Sequence, residues 1–349
     1  MKKNLFRTAL AALSLSLPFA VSAADLSISG AGASFPAPVY RVWTYNYGES
    51  TGNRIEINYQ SSGSGAGINQ VRDRTVDFGG TDNPLTREEL DKAGLCQFPM
   101  LTGGVVVVVN LRGVKPNALR LDRKTLADIF LGKITAWNDP AIRALNPELR
   151  LPKVRITVVR RSDSSGTSFI FTNYLTKISK EWAERVGCGP AVNWPVGIGG
   201  QKNPGVCNNV ARINGAIGYT EYTYAVEAKL SMVTLENRAG KFVAPTPESF
   251  KASGIHADWK NAPGFYMVLT DQPGDDSWPI TGLTYILVQR NQTDADKAGA
   301  MLKYFNWCYT TGANAASKLH YVPLAEEVVE LVRKAWTDEI RVNGSPVAL

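Results

Sequence analysis

Four segments of the sequence run from a short apolar stretch through a loop rich in glycine and serine into a helical pattern. They are LSISGAGASFPAPVY at 26–40, IEINYQSSGSGAGINQV at 55–71, VDFGGTDNP at 76–84 and ITVVRRSDSSGTSFIFTNYL at 156–175. A helix start exposes unpaired backbone amides with partial positive charge, so it can bind an anion. Glycine lets the backbone approach a ligand closely, and serine or threonine adds a hydroxyl donor. The repeated pattern therefore predicts an oxyanion site.

The elements that position these loops are predicted to be alternating strands and helices. Short apolar runs rich in branched residues indicate strands, and they lie at Leu26–Ile28, Ile55–Tyr59, Val105–Asn110, Ile156–Val159 and Tyr285–Val288. Helical patterns lie between several of them, which favours an α/β fold. In an open α/β sheet the loops at the carboxyl ends of strands are where ligands gather.

Helix boundaries are marked at three places. Thr86 followed by Glu89 is typical of a capping box, and Gly94 offers a stop for the same helix. Two further helices are predicted near the end of the sequence, at Ala295–Tyr309 and Leu324–Trp336. We expect these helices to have a structural role.

Other kinds of chemistry find little support in the sequence. It contains neither the GxxxxGK[ST] pattern of a nucleotide-binding P-loop nor the GxSxG pattern of a serine hydrolase. The first loop lacks the third glycine of a dinucleotide-binding fingerprint. The only histidines, His256 and His320, are far apart in sequence, and no CxxC pair occurs. We expect no catalytic triad, no metal site and no cofactor.

The first 23 residues have the layout of a secretory signal peptide. A basic start is followed by an apolar run and by small residues at Val21 and Ala23, so cleavage after Ala23 and a periplasmic location are expected. The formal net charge is +7 and becomes +4 without Lys2, Lys3 and Arg7. The remaining lysines and arginines are scattered, which argues against a nucleic-acid partner. At 349 residues, two domains are more usual than one.

The four cysteines, Cys96, Cys188, Cys207 and Cys308, are permitted to form disulfides in an exported chain. Cys188 and Cys207 are close enough in sequence to close a modest loop, so this pair is the candidate disulfide. A Cys96–Cys308 pair is a weaker alternative.

The motifs GAGASFPAPVY, VDFGGTDNPLT, GGVVVVVN, VVRRSDSSGTSF, GAIGYTEYTYA and SWPIT resemble those of the phosphate-binding proteins of bacterial high-affinity phosphate ABC transporters. The resemblance runs from about Asp25 to Trp336. It implies a type II periplasmic binding protein, with two α/β lobes joined by crossing hinge strands and a ligand cleft between them. We assign residues 1–23 to the signal peptide, 24–110 and 284–349 to lobe I, and 111–283 to lobe II. The implied partners are inorganic phosphate and the inner-membrane permease subunits, and a monomer is expected.

The resemblance also implies a set of phosphate-binding residues from all four loops. They are Ser34, Phe35, Ser64, Asp82, Arg161, Ser165, Gly166 and Thr167, with Asp163 holding Arg161 in place. In the second loop this sequence departs from the usual pattern, so Ser62 stays open as an alternative to Ser64. In the first loop Ser34 stands where threonine is common, and the hydroxyl donor is kept.

Arg161 and Asp82 give this set its chemical selectivity. The planar guanidinium of Arg161 can bind two oxygens of an oxyanion at once. A carboxylate repels an anion unless the anion carries a proton to donate. Phosphate carries one near neutral pH and sulfate does not, so an ionised Asp82 should accept phosphate and reject sulfate. The structural alternative is that Asp82 merely caps the helix at Pro84–Leu90.

Three other functions stay open on the sequence alone. The same architecture could bind another oxyanion, such as sulfate or molybdate. The chain could be an exported phosphatase or esterase with Ser165 as its nucleophile, although no base or metal set accompanies that residue. It could also be an adhesive or scaffold protein that has kept the fold.

Overall fold

The computed structural model describes residues 24–255 and 257–347. The predicted signal peptide and its cleavage point after Ala23 lie outside the described residues, as does His256. Sixteen strands lie within the described part of the chain. Their bounds are β1 Leu26–Gly32, β2 Ile55–Ser61, β3 Phe78–Thr81, β4 Leu95–Asn110, β5 Arg120–Leu121, β6 Thr157–Arg161, β7 Ile198–Gly200, β8 Ala216–Glu221, β9 Ser231–Met232, β10 Thr234–Glu236, β11 Phe242–Val243, β12 Thr281–Gln289, β13 Asn291–Gln292, β14 Val322–Pro323, β15 Arg341–Val342 and β16 Ser345–Pro346.

Helices connect most of these strands. Their bounds are α1 Ala37–Ser50, α2 Ser64–Arg72, α3 Arg87–Ala93, α4 Arg123–Phe130, α5 Pro140–Leu145, α6 Gly166–Ile178, α7 Lys180–Arg185, α8 Lys202–Arg212, α9 Tyr222–Glu227, α10 Pro247–Gly254, α11 Ala295–Tyr309, α12 Ala313–Lys318 and α13 Glu326–Glu339. Two single-turn 3₁₀ helices lie at Trp259–Asn261 and Pro263–Phe265.

The long strand β4 joins two halves of one mixed sheet. The strand order is β2-β1-β3-β12-β4-β8-β6-β7. Residues 95–104 of β4 pair with β12, and residues 105–110 pair with β8. All of β4 is buried except Asn110, and its run of five valines at 105–109 is apolar on both faces, as a central strand requires. We call β2, β1, β3, β12 and residues 95–104 the first half-sheet, and residues 105–110, β8, β6 and β7 the second half-sheet.

Different helices pack on the two half-sheets, and α6 contacts both, through β12 and β8. In the first half-sheet α1 packs on β2, and α2 packs on β1 and β3. In the second, α8 packs on β6, β7 and β8, while α6 contacts β8. The predicted α/β class with two lobes joined by crossing strands is confirmed. The predicted lobe boundaries, 24–110 with 284–349 against 111–283, stay a prediction.

Local sequence signals explain several helix boundaries. Thr86 caps α3 in a capping box with Glu89, and Gly94 ends it in a left-handed conformation with φ 66°, so that prediction is confirmed. Because Thr86 is the cap, the alternative that Asp82 caps this helix is wrong. The predicted helix at Ala295–Tyr309 is confirmed as α11, and α13 begins two residues later than the predicted Leu324.

The candidate disulfide between Cys188 and Cys207 is wrong in this structure, because all four cysteines are free. Cys207 is buried on α8, where its Sγ donates to the Thr220 hydroxyl at 3.4 Å. Cys188 is exposed beside α6, with its Sγ 3.8 Å from the Phe169 carbonyl oxygen. The two thiols face different elements, although they are close in sequence. The Cys96–Cys308 alternative is also wrong, since both residues are buried and unpaired.

The free thiols can be counted chemically. A thiol reagent should modify one cysteine of the native protein, Cys188, because the other three are buried. After unfolding in denaturant without reductant, all four should react. Two reactive thiols after unfolding, rather than four, would show that a disulfide forms after all.

Helix α2 lies so close to the ends of β1 and β3 that one of its positions admits only glycine. A Cβ at Gly67 would lie 2.6 Å from Gly32 Cα, 2.7 Å from the Ala31 carbonyl oxygen and 2.8 Å from the Gly80 carbonyl oxygen. These are backbone atoms, so relief requires moving the helix or the sheet. The close packing of α2 thereby determines where its first residue, Ser64, can lie.

Gly67→Ala should therefore destabilise the protein by about 2 kcal/mol, the usual cost of overpacking a tight contact. Gly48→Ala is the matched control, because Gly48 is also helical and its Cβ would meet nothing closer than Asn53 Oδ1 at 3.4 Å. The control should be neutral or stabilising by up to about 1 kcal/mol. Urea unfolding of both variants measures the difference, and equal effects would contradict the packing argument.

Candidate functional site

The four predicted loops meet at the junction of the two half-sheets. The Gly166 amide at the start of α6 donates to Ser64 Oγ at the start of α2 at 3.0 Å. The Gly65 amide donates to the Ser164 carbonyl oxygen at 3.2 Å. Every predicted ligand residue with a side chain is at most 3 % exposed, and Gly166 is also buried. The structure thus brings all eight together in an enclosed site.

The contact between α2 and α6 depends on a glycine. A Cβ at Gly166 would lie 2.5 Å from Asp82 Cβ and 2.6 Å from Ser64 Oγ. Any side chain at this position would force the loops apart. Gly166 therefore allows the second, third and fourth loops to converge on one point.

Ser64 and Ser62 occupy different places in the second loop. Ser64 begins α2 and is buried, and its hydroxyl oxygen also accepts from the Asp82 amide at 3.3 Å. Ser62 is half-buried and lines a surface depression beside Gly65, Asp163 and Ser164. The structure therefore brings Ser64 into the cluster and leaves Ser62 at its edge.

The site is rich in hydrogen-bond donors that lack a partner within the chain. Among the described residues the backbone amides of Phe35 and Thr167 donate no hydrogen bond. Ser165 caps α6 by accepting from the Ser168 amide at 3.0 Å. Its hydroxyl hydrogen is not used in this bond and can donate to a ligand. Buried amides are nearly always paired, which makes unpaired ones at helix starts a sign of a ligand site.

Arg161 is held by a two-point ion pair with Asp163. Arg161 Nε donates to Asp163 Oδ1 at 2.8 Å, and Nη2 donates to Oδ2. Burial acts to raise the pKa of Asp163, but the Arg161 bonds and the Lys202 amide outweigh it and hold that pKa below its ordinary value of 3.8. Arg161 is 3 % exposed, and its guanidinium still has N–H groups to offer an anion.

Asp82 is the exception among these donors. It is 2 % exposed, and its Oδ1 accepts from the Thr284 hydroxyl at 2.9 Å. Burial raises the pKa of Asp82 from its ordinary value of 3.8 to about 7, while Thr284, the positive charge of Arg161 and the Ser64 hydroxyl act to lower it. Near neutral pH this carboxyl group can therefore accept or carry a proton.

Sequence reasoning missed two polar residues of the site, Thr284 and Asn203. Thr284 belongs to β12 and comes from a distant part of the chain, so no local pattern points to it. Asn203 is fully buried in the first turn of α8, and its amide contacts Ser34, Thr167 and Arg161. The signal for it was present, because GIGGQKNPG at 197–205 is a fifth strand, glycine and helix segment with a proline in the first turn.

Chemically the arrangement can enclose a small anion with several oxygens, one of which keeps a hydrogen for Asp82. No group of three or more histidine, cysteine, aspartate or glutamate side chains in residues 24–255 and 257–347 could hold a metal ion. Within the same ranges no helix has both the length and the apolar character needed to cross a bilayer.

The fold and the site together define a two-lobed binding protein with an enclosed ligand site. Residues 18–310 match the family model of the PBP superfamily domain. The chain is 48% identical over 324 residues to the phosphate-binding protein PstS of Xylella fastidiosa strain Temecula1, covering 93% of this chain and 88% of the relative. It is 46% identical to the PstS of Haemophilus influenzae, covering 93% and 96%. The chain belongs to the PstS family of phosphate-binding proteins.

Solved structures support the fold. The high-affinity periplasmic phosphate-binding protein PfluDING, solved with bound phosphate, matches with a TM-score of 0.70 at 21% identity over 93% of this chain and all of that one. A phosphate-binding protein from Stenotrophomonas maltophilia matches with a TM-score of 0.66 at 20% identity, covering 91% of this chain and 96% of that one. At these identities the likeness concerns the fold.

The buried carboxyl group of Asp82 should make stability depend on pH. Its folded pKa is raised, so its favourable contribution is complete below its ordinary pKa and is lost as pH rises through about 7. Asparagine does not titrate. Without phosphate, the stability of Asp82→Asn relative to wild type should grow by about 4 kcal/mol between pH 4 and pH 8.

Urea unfolding across this pH range measures the effect. Asp163→Asn is the matched control from the same site, because the pKa of Asp163 is lowered. Its loss should destabilise the protein above the ordinary pKa of an aspartate, which is the opposite sign. A stability difference between Asp82→Asn and wild type that does not change with pH would contradict the assigned role of burial.

Proposed function

We propose that the chain binds inorganic phosphate in the periplasm and delivers it to an inner-membrane ABC importer. The observation that carries this proposal is one buried carboxyl group, Asp82, within a cluster of amides, hydroxyls and a guanidinium. The family relation supports it, since the relatives compared above are named phosphate-binding proteins.

The geometry of the enclosed site supports the proposed ligand set. We propose that the eight residues predicted as ligands bind the anion near the Gly166–Ser64 contact, and that Asp163 orients Arg161 through their ion pair. A buried dianion needs a donor for nearly every lone pair, and the unpaired amides and hydroxyls offer them. Asp82 then accepts the one hydrogen that phosphate carries near neutral pH. No cofactor is needed for this task.

Capture is proposed to proceed by closure of the two lobes. Contacts across the half-sheets, such as Gly166 to Ser64 and Asn203 to Ser34, can form only when the lobes are together. A ligand that bridges the same elements favours the closed form. We propose that the closed monomer is recognised by the permease subunits, after cleavage of the signal peptide behind Ala23.

The phosphatase alternative makes a different prediction for the same residue. Ser165 Oγ caps α6 by accepting from the Ser168 amide, which is a positioning role. We propose that Ser165 donates to the ligand without attacking it. Turnover of a phosphate monoester by wild type that disappears in Ser165→Ala would overturn this proposal. For the scaffold alternative, the decisive result is no phosphate binding after unfolding and refolding in its presence.

Selectivity between phosphate and sulfate should depend on the protonation of Asp82. At pH 8.5 Asp82 is ionised, so it accepts from phosphate and repels sulfate. At pH 5.5 it is protonated and can donate to sulfate. With a pKa of about 7, the sulfate affinity of wild type should rise about 30-fold between pH 8.5 and pH 5.5.

Calorimetric titration with both anions tests the function and its basis together. At pH 8.5 phosphate should bind with a dissociation constant of about 1 μM or tighter. Sulfate should bind at least about 1,000-fold more weakly, a difference of about 4 kcal/mol. Asp82→Asn should bind sulfate more tightly at pH 8.5 and lose the pH dependence. Equal binding of the two anions by wild type at pH 8.5 would favour a general oxyanion carrier.

A further inference from the structure

Asn203 lies between the two half-sheets and contacts both. Its side chain is fully buried in the first turn of α8. Asn203 Nδ2 lies 3.1 Å from Ser34 Oγ, in the loop before α1, and 3.4 Å from Thr167 Oγ1 in α6. Its backbone amide is also 3.4 Å from Ser34 Oγ. One side chain thus touches two of the hydroxyls proposed to bind the ligand.

The chemistry of its neighbours determines which way the Asn203 amide points. Asn203 Oδ1 lies 3.4 Å from the Glu221 backbone nitrogen and 3.5 Å from Arg161 Nη1. Both groups can only donate, so the atom facing them must be the oxygen. The Thr220 hydroxyl, at 3.3 Å, donates to the same oxygen. The –NH₂ group must therefore face Ser34 and Thr167.

This orientation settles the direction of two hydrogen bonds in the site. A hydroxyl can donate or accept, and it has only one hydrogen. Because Asn203 Nδ2 carries two hydrogens and no lone pair to offer, both hydroxyls accept from it. Their own hydrogens are left to donate elsewhere, and within the described residues neither hydroxyl has an acceptor in hydrogen-bond distance. Both hydrogens are then available to an anion.

We propose that Asn203 is a positioning residue of the anion site, which makes Ser34 and Thr167 act as donors and links the first loop to α8 when the lobes close. This inference rests on the proposed function, since it concerns the same ligand. Asn203 is not required to touch the anion. It acts through the two hydroxyls and through the nearby Arg161.

Two substitutions separate this role from simple packing. Asn203→Ala removes the donor, so the two hydroxyls are free to rotate. Asn203→Asp keeps the shape and replaces the donor by a second acceptor, which would attract both hydroxyl hydrogens away from the ligand. It also adds a negative charge beside an anion site. Asn209→Ala is the matched control, because Asn209 is half-buried on the same helix and its amide donates to the Gly199 carbonyl oxygen, away from the site.

Phosphate dissociation constants of the full-length mature protein provide the test. Asn203→Ala should weaken phosphate binding about 10- to 100-fold, which corresponds to one or two misdirected hydrogen bonds. Asn203→Asp should weaken it by at least about 1,000-fold, and Asn209→Ala by less than about threefold. Urea unfolding without phosphate checks that each variant is folded, and the isosteric Asn203→Asp keeps the test valid if Asn203→Ala unfolds.

Coupling to the hydroxyls distinguishes positioning from a general structural role. In a Ser34→Ala, Thr167→Val background, Asn203→Ala should cost less than about threefold further, because the hydroxyls it orients are gone. The same fold-loss in both backgrounds would overturn the inference, as would wild-type affinity in Asn203→Ala. If the wild-type protein itself binds no phosphate, the proposed function fails and this inference fails with it.

Discussion

The site depends on one contact, the hydrogen bond from the Gly166 amide to Ser64 Oγ. It joins the start of α6 in the second half-sheet to the start of α2 in the first. Two helix starts that face each other bring their partial positive charges together, which is unfavourable unless negative charge lies between them. The glycine at 166 permits this approach, and Gly67 holds α2 against the strand ends. An anion site is therefore a consequence of how the two half-sheets meet along β4.

The two aspartates of the site, Asp82 and Asp163, have different roles because their surroundings differ. Asp163 lies against a buried guanidinium and stays ionised, so it balances Arg161 and orients it. Asp82 is 2 % exposed, accepts a hydrogen bond from the Thr284 hydroxyl and lies farther from the positive charge of Arg161. Burial therefore dominates and raises the pKa of Asp82 to about 7. Exchanging their surroundings would exchange their roles. The proposed selectivity for a protonated ligand therefore depends on the ionised form of Asp82, and burial determines the pH at which that form appears.

Much of this arrangement could be predicted from the sequence, and the misses have physical causes. The four loops were visible because each helix start carries its own signal within about ten residues, and the structure places their residues together. Thr284 was not visible, since a single threonine within an apolar strand has no local signature. Asn203 lies in a recognisable strand, glycine and helix segment at 197–205 that the sequence prediction did not include. The disulfide prediction failed because proximity along the chain says nothing about which face of an element a thiol lies on, and Cys207 faces β8.

The balance of hydrogen-bond donors and acceptors limits which anions the site can bind with every group paired. Around the site the free groups are mostly donors, namely backbone amides, a guanidinium and hydroxyls that each already accept a hydrogen bond, while the carboxylate of Asp82 can accept from a ligand. While Asp82 is ionised, an anion with no hydrogen leaves that carboxylate facing an oxygen, whereas an anion with a hydrogen can donate to it. An oxyanion that carries a hydrogen therefore satisfies the site while Asp82 is ionised, and one without a hydrogen does not. Asn203 contributes to this balance as Asp82 does, because by donating to the Ser34 and Thr167 hydroxyls it leaves their hydrogens free to donate to the anion.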